Sequence, residues 1–135
     1  MSPRGLRNNN PLNIKIGNDW QGERPINTDG VFEQFETPEY GYRAAFIILR
    51  KYITKYNRNT IHKIIDSWAP DGEPYQSNYK KRVCTLASIG VHEPIDYANK
   101  NLMVAIVQAM ACVENGIPVD KHPIIKGYEM ANQTL

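Results

Sequence analysis

Apolar positions along this chain change character near residue 37: before it they are sparse or alternate with polar ones, and beyond it they recur at helical spacing. Asn8-Asn9-Asn10-Pro11-Leu12-Asn13 is a loop by composition, because Asn and Pro favour turns. Ile14-Lys15-Ile16 alternates like a short strand, and Gly17-Asn18 makes a turn ahead of Trp20. The stretch Ile26-Asn27-Thr28-Asp29-Gly30-Val31-Phe32 sets Asp-Gly between β-formers, a short-range hairpin signal. A small β-hairpin lobe is therefore predicted over 13–36.

The rest predicts helices. Thr37-Pro38-Glu39 supplies a capping hydroxyl, a proline for the first helical position and an acid near the dipole. The helix it starts should reach about residue 56, with Ala44, Ile47, Ile48 and Tyr52 on one face and Arg50, Lys51 and Lys55 on the wet side. A second begins at Thr60, carries Ile61, Ile64, Ile65 and Trp68 on one face, and ends before Pro70. After a Gly/Pro-containing loop over 70–74, a third covers about 76–89 and stops at Gly90. A fourth opens after Asn99 and reads Leu102, Met103, Ala105, Ile106, Ala109, Met110, Val113. That apolar face is wide, which predicts a central, buried helix. It closes at Glu114-Asn115-Gly116, where Gly116 suits the left-handed cap. A short helix over 123–132 completes the set. The fold class is α+β, mainly α, in one domain over 1–135, with the hairpin lobe at 13–36 and a helical lobe at 37–132.

Composition adds few constraints. The chain has 135 residues, 41% hydrophobic and 22% charged, which suits one ordinary globular domain. Cys84 and Cys112 lie among apolar neighbours and read as buried, reduced thiols, with one disulfide as the alternative. His62, His92 and His122 are isolated from one another, so no metal site is predicted, and no cofactor. A net charge of +2 is too small to imply nucleic acid, but suits weak attraction to an anionic polymer such as a bacterial wall. The basic start Met1-Ser2-Pro3-Arg4 has no apolar run behind it, so no secretory signal is expected. No stretch is long enough for membrane insertion.

The candidate chemistry centres on Glu114. A carboxylate at the C-terminal end of a buried helix meets a negative dipole, at a cost of several tenths of a kcal/mol. Its neighbours Met110, Cys112 and Val113 are apolar, so desolvation adds to the effect. Both raise a carboxyl pKa, and a Glu that keeps its proton near neutrality can protonate a glycosidic oxygen. The bland alternative is an exposed cap residue. A second carboxylate, which glycoside cleavage often uses, has candidates in Glu23, Asp29, Glu33 and Glu36, each with a turn, strand or helix-start reading beside it. Trp20, Trp68, Tyr40, Tyr42 and Tyr75 offer rings for stacking on sugars. Asn9, Asn10 and Asn13 offer amides for N-acetyl groups, and are equally good loop formers.

Arg4-Gly5-Leu6-Arg7-Asn8-Asn9-Asn10-Pro11-Leu12-Asn13-Ile14 resembles the opening of small phage and prophage peptidoglycan-hydrolase-like domains. Trp20-Gln21-Gly22, Phe32 and Phe35, Glu39-Tyr40-Gly41-Tyr42-Arg43-Ala44, Thr60-Ile61, Trp68-Ala69-Pro70, Tyr79 and Glu114-Asn115-Gly116 continue the pattern. Leu12 stands where those domains often have Gly. Glu73-Pro74 with Ser77 and Tyr79 departs from their usual Glu-Asn before Thr and Tyr, which weakens any role for Glu73. Asn9 to Gly22 also resembles a segment of flagellar-type glucosaminidases that follows a helix ending in a catalytic Glu. Here the run Ala105 to Gly116 resembles that helix, placed late in the chain.

Together the two resemblances imply a circularly permuted lysozyme-like domain, a rearrangement that compact domains tolerate because their termini lie close together at the surface. They imply Glu114 as general acid and Asp29 as counterpart of the second acid, with Asn10, Asn13, Trp20, Tyr40 and Tyr75 as substrate-binding candidates. The implied substrate is the peptidoglycan glycan strand, cut as by a muramidase, glucosaminidase or lytic transglycosylase. The alternative on the same fold is a non-catalytic wall-binding or phage virion module. Synthesis in a bacterial cytoplasm would then precede delivery to periplasm or wall by a phage particle or secretion machine, with an immunity protein as a further partner.

Overall fold

The computed structural model describes residues 2–133 and is mainly helical. Its elements are α1 (Arg4–Arg7), α2 (Pro38–Thr54), α3 (Ile61–Trp68), α4 (Tyr75–Ala87), α5 (Lys100–Asn115) and α6 (His122–Gln133). The main packing pairs are α2 with α6 and α4 with α5. Buried apolar residues from the N-terminal segment (Leu12, Ile14, Phe35) and from the helices share one cluster. Two terminal residues at the C-terminus and Met1 lie outside the described span, so the domain limits 1 and 135 do too.

Helix ends follow local chemistry. Thr60 caps α3 by accepting from the Lys63 amide at 3.2 Å, and Asn99 caps α5 by accepting from Leu102 at 3.2 Å. Gly116 ends α5 in the left-handed conformation at φ 73°. Two expected signals act differently. Thr37 precedes α2 in extended conformation but its side chain makes no capping bond, so Pro38 at the first position marks that start. The third expected helix ends at Ala87, not at Gly90, because Ser88 already turns left-handed at φ 54°. The short α1 was not predicted: four residues have no periodicity to read.

Helix α5 is the central element, with Met103, Val104, Ile106, Val107, Met110 and Ala111 all buried, so its wide apolar face is used on nearly every side. Helix α2 buries the expected Ala44, but its deepest residues are shifted round the helix from the rest of the expected face. Tyr42, Arg43, Ala44, Ala45, Phe46 and Leu49 are inside, whereas Ile47, Ile48 and Tyr52 are half-buried. The reason is α6, which crosses close to the first half of α2 at Gly127 and sets Tyr128 edge-on against Phe46 at 5.2 Å.

The predicted hairpin is replaced by an irregular lobe. Among the described residues β pairing is confined to two isolated antiparallel bridges, Lys15 with Phe32 and Glu23 with Phe35. Asp29-Gly30 does form a turn, with Gly30 at φ 83°, but side chains take the hydrogen bonds a ladder would use. Asn27 Oδ1 accepts from the Asp29 and Gly30 amides, and Asp29 Oδ1 accepts from Val31 and Phe32. Ile26 and Val31 remain 75% and 49% exposed, so strand pairing there would gain no burial.

Inside this lobe Glu33 is only 2% exposed and its Oε2 has no hydrogen-bond partner. Burial first, then the adjacent Glu23 and Asp19 carboxylates, lift its pKa to about 7, with the Gly17 amide opposing. The folded state therefore holds a proton that the unfolded chain releases from about pH 4.5. This one contribution to stability is fully present below that pH and is lost as pH rises toward 7. Glu33→Gln is expected to flatten this fall in denaturant titrations at pH 5 and pH 8. An unchanged pH slope would show that the proton is held elsewhere.

Candidate functional site

Helix α5 delivers Glu114 in its last turn, one residue before Asn115 fastens the helix end to the N-terminal segment. Asn115 Nδ2 donates to the Pro11 and Ala111 carbonyls, each at 2.8 Å. The loop it grips carries Asn13 in the left-handed region at φ 55°, a conformation that Asn tolerates better than most residues. From there Asn13 Nδ2 donates to Glu114 Oε1 at 2.9 Å. Helix α4 supplies the second donor: Tyr79 hydroxyl to Glu114 Oε2 at 2.9 Å.

Glu114 is half-buried, and burial pushes its carboxyl pKa up, with a smaller push from Asp71. The two hydrogen bonds favour the charged form and oppose that shift without cancelling it. Tyr79 is itself fully inside, its phenol pushed well above the usual range by burial and by Glu114. Tyr75 packs edge-on against Tyr79 at 5.8 Å while remaining 41% exposed, and burial, Glu114 and Asp71 raise its phenol to about 12. Trp68 borders the same loop, its indole donating to the Leu12 carbonyl at 3.1 Å. The result is a carboxyl with one fixed donor on each oxygen and a bias toward keeping its proton.

Asn13 and Tyr75 are thus gathered around Glu114. Asp29 is committed elsewhere: Arg4 grips it with two bonds, Asn8 Nδ2 donates at 3.0 Å, and backbone amides complete its shell. The Arg4 guanidinium, followed by the Phe32 amide and Asn8, holds its carboxyl well below the ordinary range. That contribution to stability is complete above about pH 4 and is lost on acidification. Asp29→Asn is expected to lower the Tm at pH 7, measured by calorimetry, and to leave less of an acid-induced drop. An unchanged Tm would mean that the Arg4 contact contributes nothing.

Asn10 is fully buried; its amide bonds Ile14 and Glu33 within the lobe and has no surface to offer a ligand. Tyr40 lies half-buried with its ring over Gly22. Trp20 lines a pocket with Tyr52 and Tyr56. Glu73 lines a separate cleft of about 620 Å³ with His62, Lys80 and Cys84, where Lys80 bonds Asp66 at 2.7 Å. Cys84 and Cys112 are free thiols. Local pattern reading missed Asp71 as a charge that raises the Glu114 pKa, since an Asp before a Gly in a loop carries no periodic signal.

Among the described residues no cluster of His, Cys, Asp and Glu could hold a metal ion, and no helix is long and apolar enough to cross a membrane. No family model matches the chain. A curated relative does: Protein P5 of Pseudoalteromonas phage PM2 is 42% identical over 131 residues, spanning 93% of this chain and 80% of that protein. At that identity and coverage, the chain belongs to the family of the phage PM2 Protein P5.

Proposed function

We propose that this protein cleaves the glycan strand of peptidoglycan, with Glu114 as general acid on a circularly permuted lysozyme-like fold. The observation that carries the reading is Glu114 itself: a half-buried carboxyl with raised pKa, gripped on each oxygen by Asn13 and Tyr79 at the edge of an aromatic surround. A structural cap residue has no need of two side-chain donors drawn from distant parts of the chain.

In the reaction Glu114 donates its proton to the glycosidic oxygen as the C1–O bond breaks and oxocarbenium character develops on the sugar. The resulting carboxylate is the form that the Asn13 and Tyr79 donors stabilise. It then accepts the proton of the attacking hydroxyl. If that hydroxyl is the muramyl 6-OH, the product is an anhydro sugar; if it is water, the product is a new reducing end. The anhydro route asks for one carboxylate only, and it is favoured here because the Asp29 oxygens are already taken.

Kinship with a phage protein supports a second reading, a non-catalytic wall-binding or virion module. Digestion of purified peptidoglycan followed by mass spectrometry separates the two. Anhydromuropeptides are expected in the soluble fraction. Binding to several wall types with no soluble product would establish the module reading instead.

A further inference from the structure

Helix α1 packs against α5, and its one buried residue is Gly5. The backbone there is helical, a conformation in which Ala is the better residue. A glycine that local propensity argues against points to something close to its Cα. Three oxygens are. A Cβ at residue 5 would stand 2.7 Å from Asn115 Oδ1, 2.9 Å from Asn13 Oδ1 and 3.0 Å from the Asn10 carbonyl oxygen. The Asn13 and Asn115 oxygens are buried and receive no hydrogen bond from any described residue. They rest instead on the bare Cα, whose C–H is only a weak donor.

These two amides build the corner that holds Glu114. Asn115 Nδ2 ties the end of α5 to the Pro11 carbonyl, and Asn13 Nδ2 donates to Glu114 Oε1. Gly5 also grips the loop between them. Its carbonyl accepts from the Asn10 amide at 2.9 Å, and the Asn10 carbonyl accepts from the Asn13 amide at 3.0 Å. Each side-chain amide is thus bonded at its nitrogen and set against residue 5 at its oxygen. We infer that Gly5 is a positioning residue for the acid, its bare Cα seating the Asn13 and Asn115 amides so that Asn13 keeps its donor on Glu114. The inference rests on the reading of Glu114 as general acid, and adds to it a buried residue that acts only through Asn13.

Gly5→Ala separates this role from plain packing. The two nearest obstacles to the methyl are the ends of side chains, which can rotate, and the Asn10 carbonyl has to give least. Ala also favours the helical backbone of α1. The strain therefore falls on the site before it falls on the fold. As the amides turn away, Asn13 Nδ2 leaves Glu114. That bond favours the carboxylate, so its loss moves the Glu114 titration up. The other groups that act on Glu114 are Tyr79 and Tyr75 from α4 and Asp71 from the loop before it, and none of them lies against residue 5.

The experiment follows the Glu114 carboxyl by 13C NMR in wild type, Gly5→Ala, Asn13→Ala and the double variant, alongside Tm and kinetics on glycan strands. Each single variant is expected to raise the Glu114 titration and to cut kcat about tenfold, the scale of one lost hydrogen bond to a charged group, with KM nearly unchanged. The double variant should be no worse than Asn13→Ala alone. A folded Gly5→Ala protein with the wild-type Glu114 titration would overturn the inference. So would effects of the two variants that multiply, or a Gly5→Ala protein that does not fold, since the contact would then serve the fold and not the site. A shared upward shift in a protein that cleaves no wall type would keep the positioning role and overturn the glycan reading. Cleavage lost in Glu114→Gln but indifferent to Gly5→Ala would do the reverse.

Discussion

Replacing Glu114 by Gln is expected to cut release of soluble glycan from peptidoglycan by 100-fold or more, the range that a general acid contributes. The fold should survive the change. Gln occupies the same volume, and its amide oxygen can take one of the two donors that now reach Glu114, Asn13 Nδ2 and the Tyr79 hydroxyl. The lost component is the transferable proton. The rate should also show an alkaline limb that reports the Glu114 pKa: activity falls as pH rises through it and the acid form disappears. Burial already moves that limb upward. Tyr79→Phe removes a donor that favours the carboxylate, so it should move the limb higher still. A pH–rate profile of both proteins measures this. Glu114→Gln with undiminished activity would mean an enzyme that uses another acid. An alkaline limb that moves down in Tyr79→Phe would mean that the hydroxyl acts on something other than the Glu114 carboxylate.

The same two donors mark where sequence reading reaches its limit. Gly116 acts on groups within a few residues, so its capping role is legible as local pattern, and Thr60 and Asn99 stand where the apolar period begins. The wide apolar face of α5 likewise reported a central helix, because burial over most of its circumference narrows the polar part of the period to the stripe of Asn101, Ala105 and Gln108. Glu114 stood out for being a carboxylate at the wrong end of that helix. Its partners did not: Asn13 is 101 residues away and Tyr79 is 35 away, and no local rule couples such positions. Asp29-Gly30 misled for a related reason. The dipeptide specified a turn, but whether the flanking residues pair depends on burial, and Ile26 and Val31 face solvent. Propensity announced the bend, and tertiary packing decided what it joins. Tyr52 and Tyr56 went unnoticed as a pocket wall because the lobe that completes it, at Asn18 to Trp20, is distant in sequence.

Gly41→Ala is expected to be strongly destabilising, at or above about 3 kcal/mol, the top of the usual range for overpacking. A Cβ at residue 41 would overlap the Asn9 carbonyl oxygen and stand 3.1 Å from its carbon and 3.3 Å from the Asn10 Cα. These are backbone atoms, so no rotamer change relieves the clash. Nor can the loop easily recede. Asn9 is held left-handed at φ 51°, its amide donates to the Phe35 and Glu36 carbonyls, and Asn10 is fully buried with three bonds of its own. For a domain of this length the Tm should fall by about 10 °C. Gly17→Ala is the control, since a Cβ there meets nothing within 4 Å and should change stability by no more than about 0.5 kcal/mol. The consequence extends to the site, because the segment displaced by residue 41 ends at Asn13. Below its Tm, Gly41→Ala should therefore also lose kcat, as Asn13 moves away from Glu114. A variant with wild-type Tm would show that the loop yields freely. A lowered Tm with wild-type kcat would show that Asn13 is not positioned through this contact.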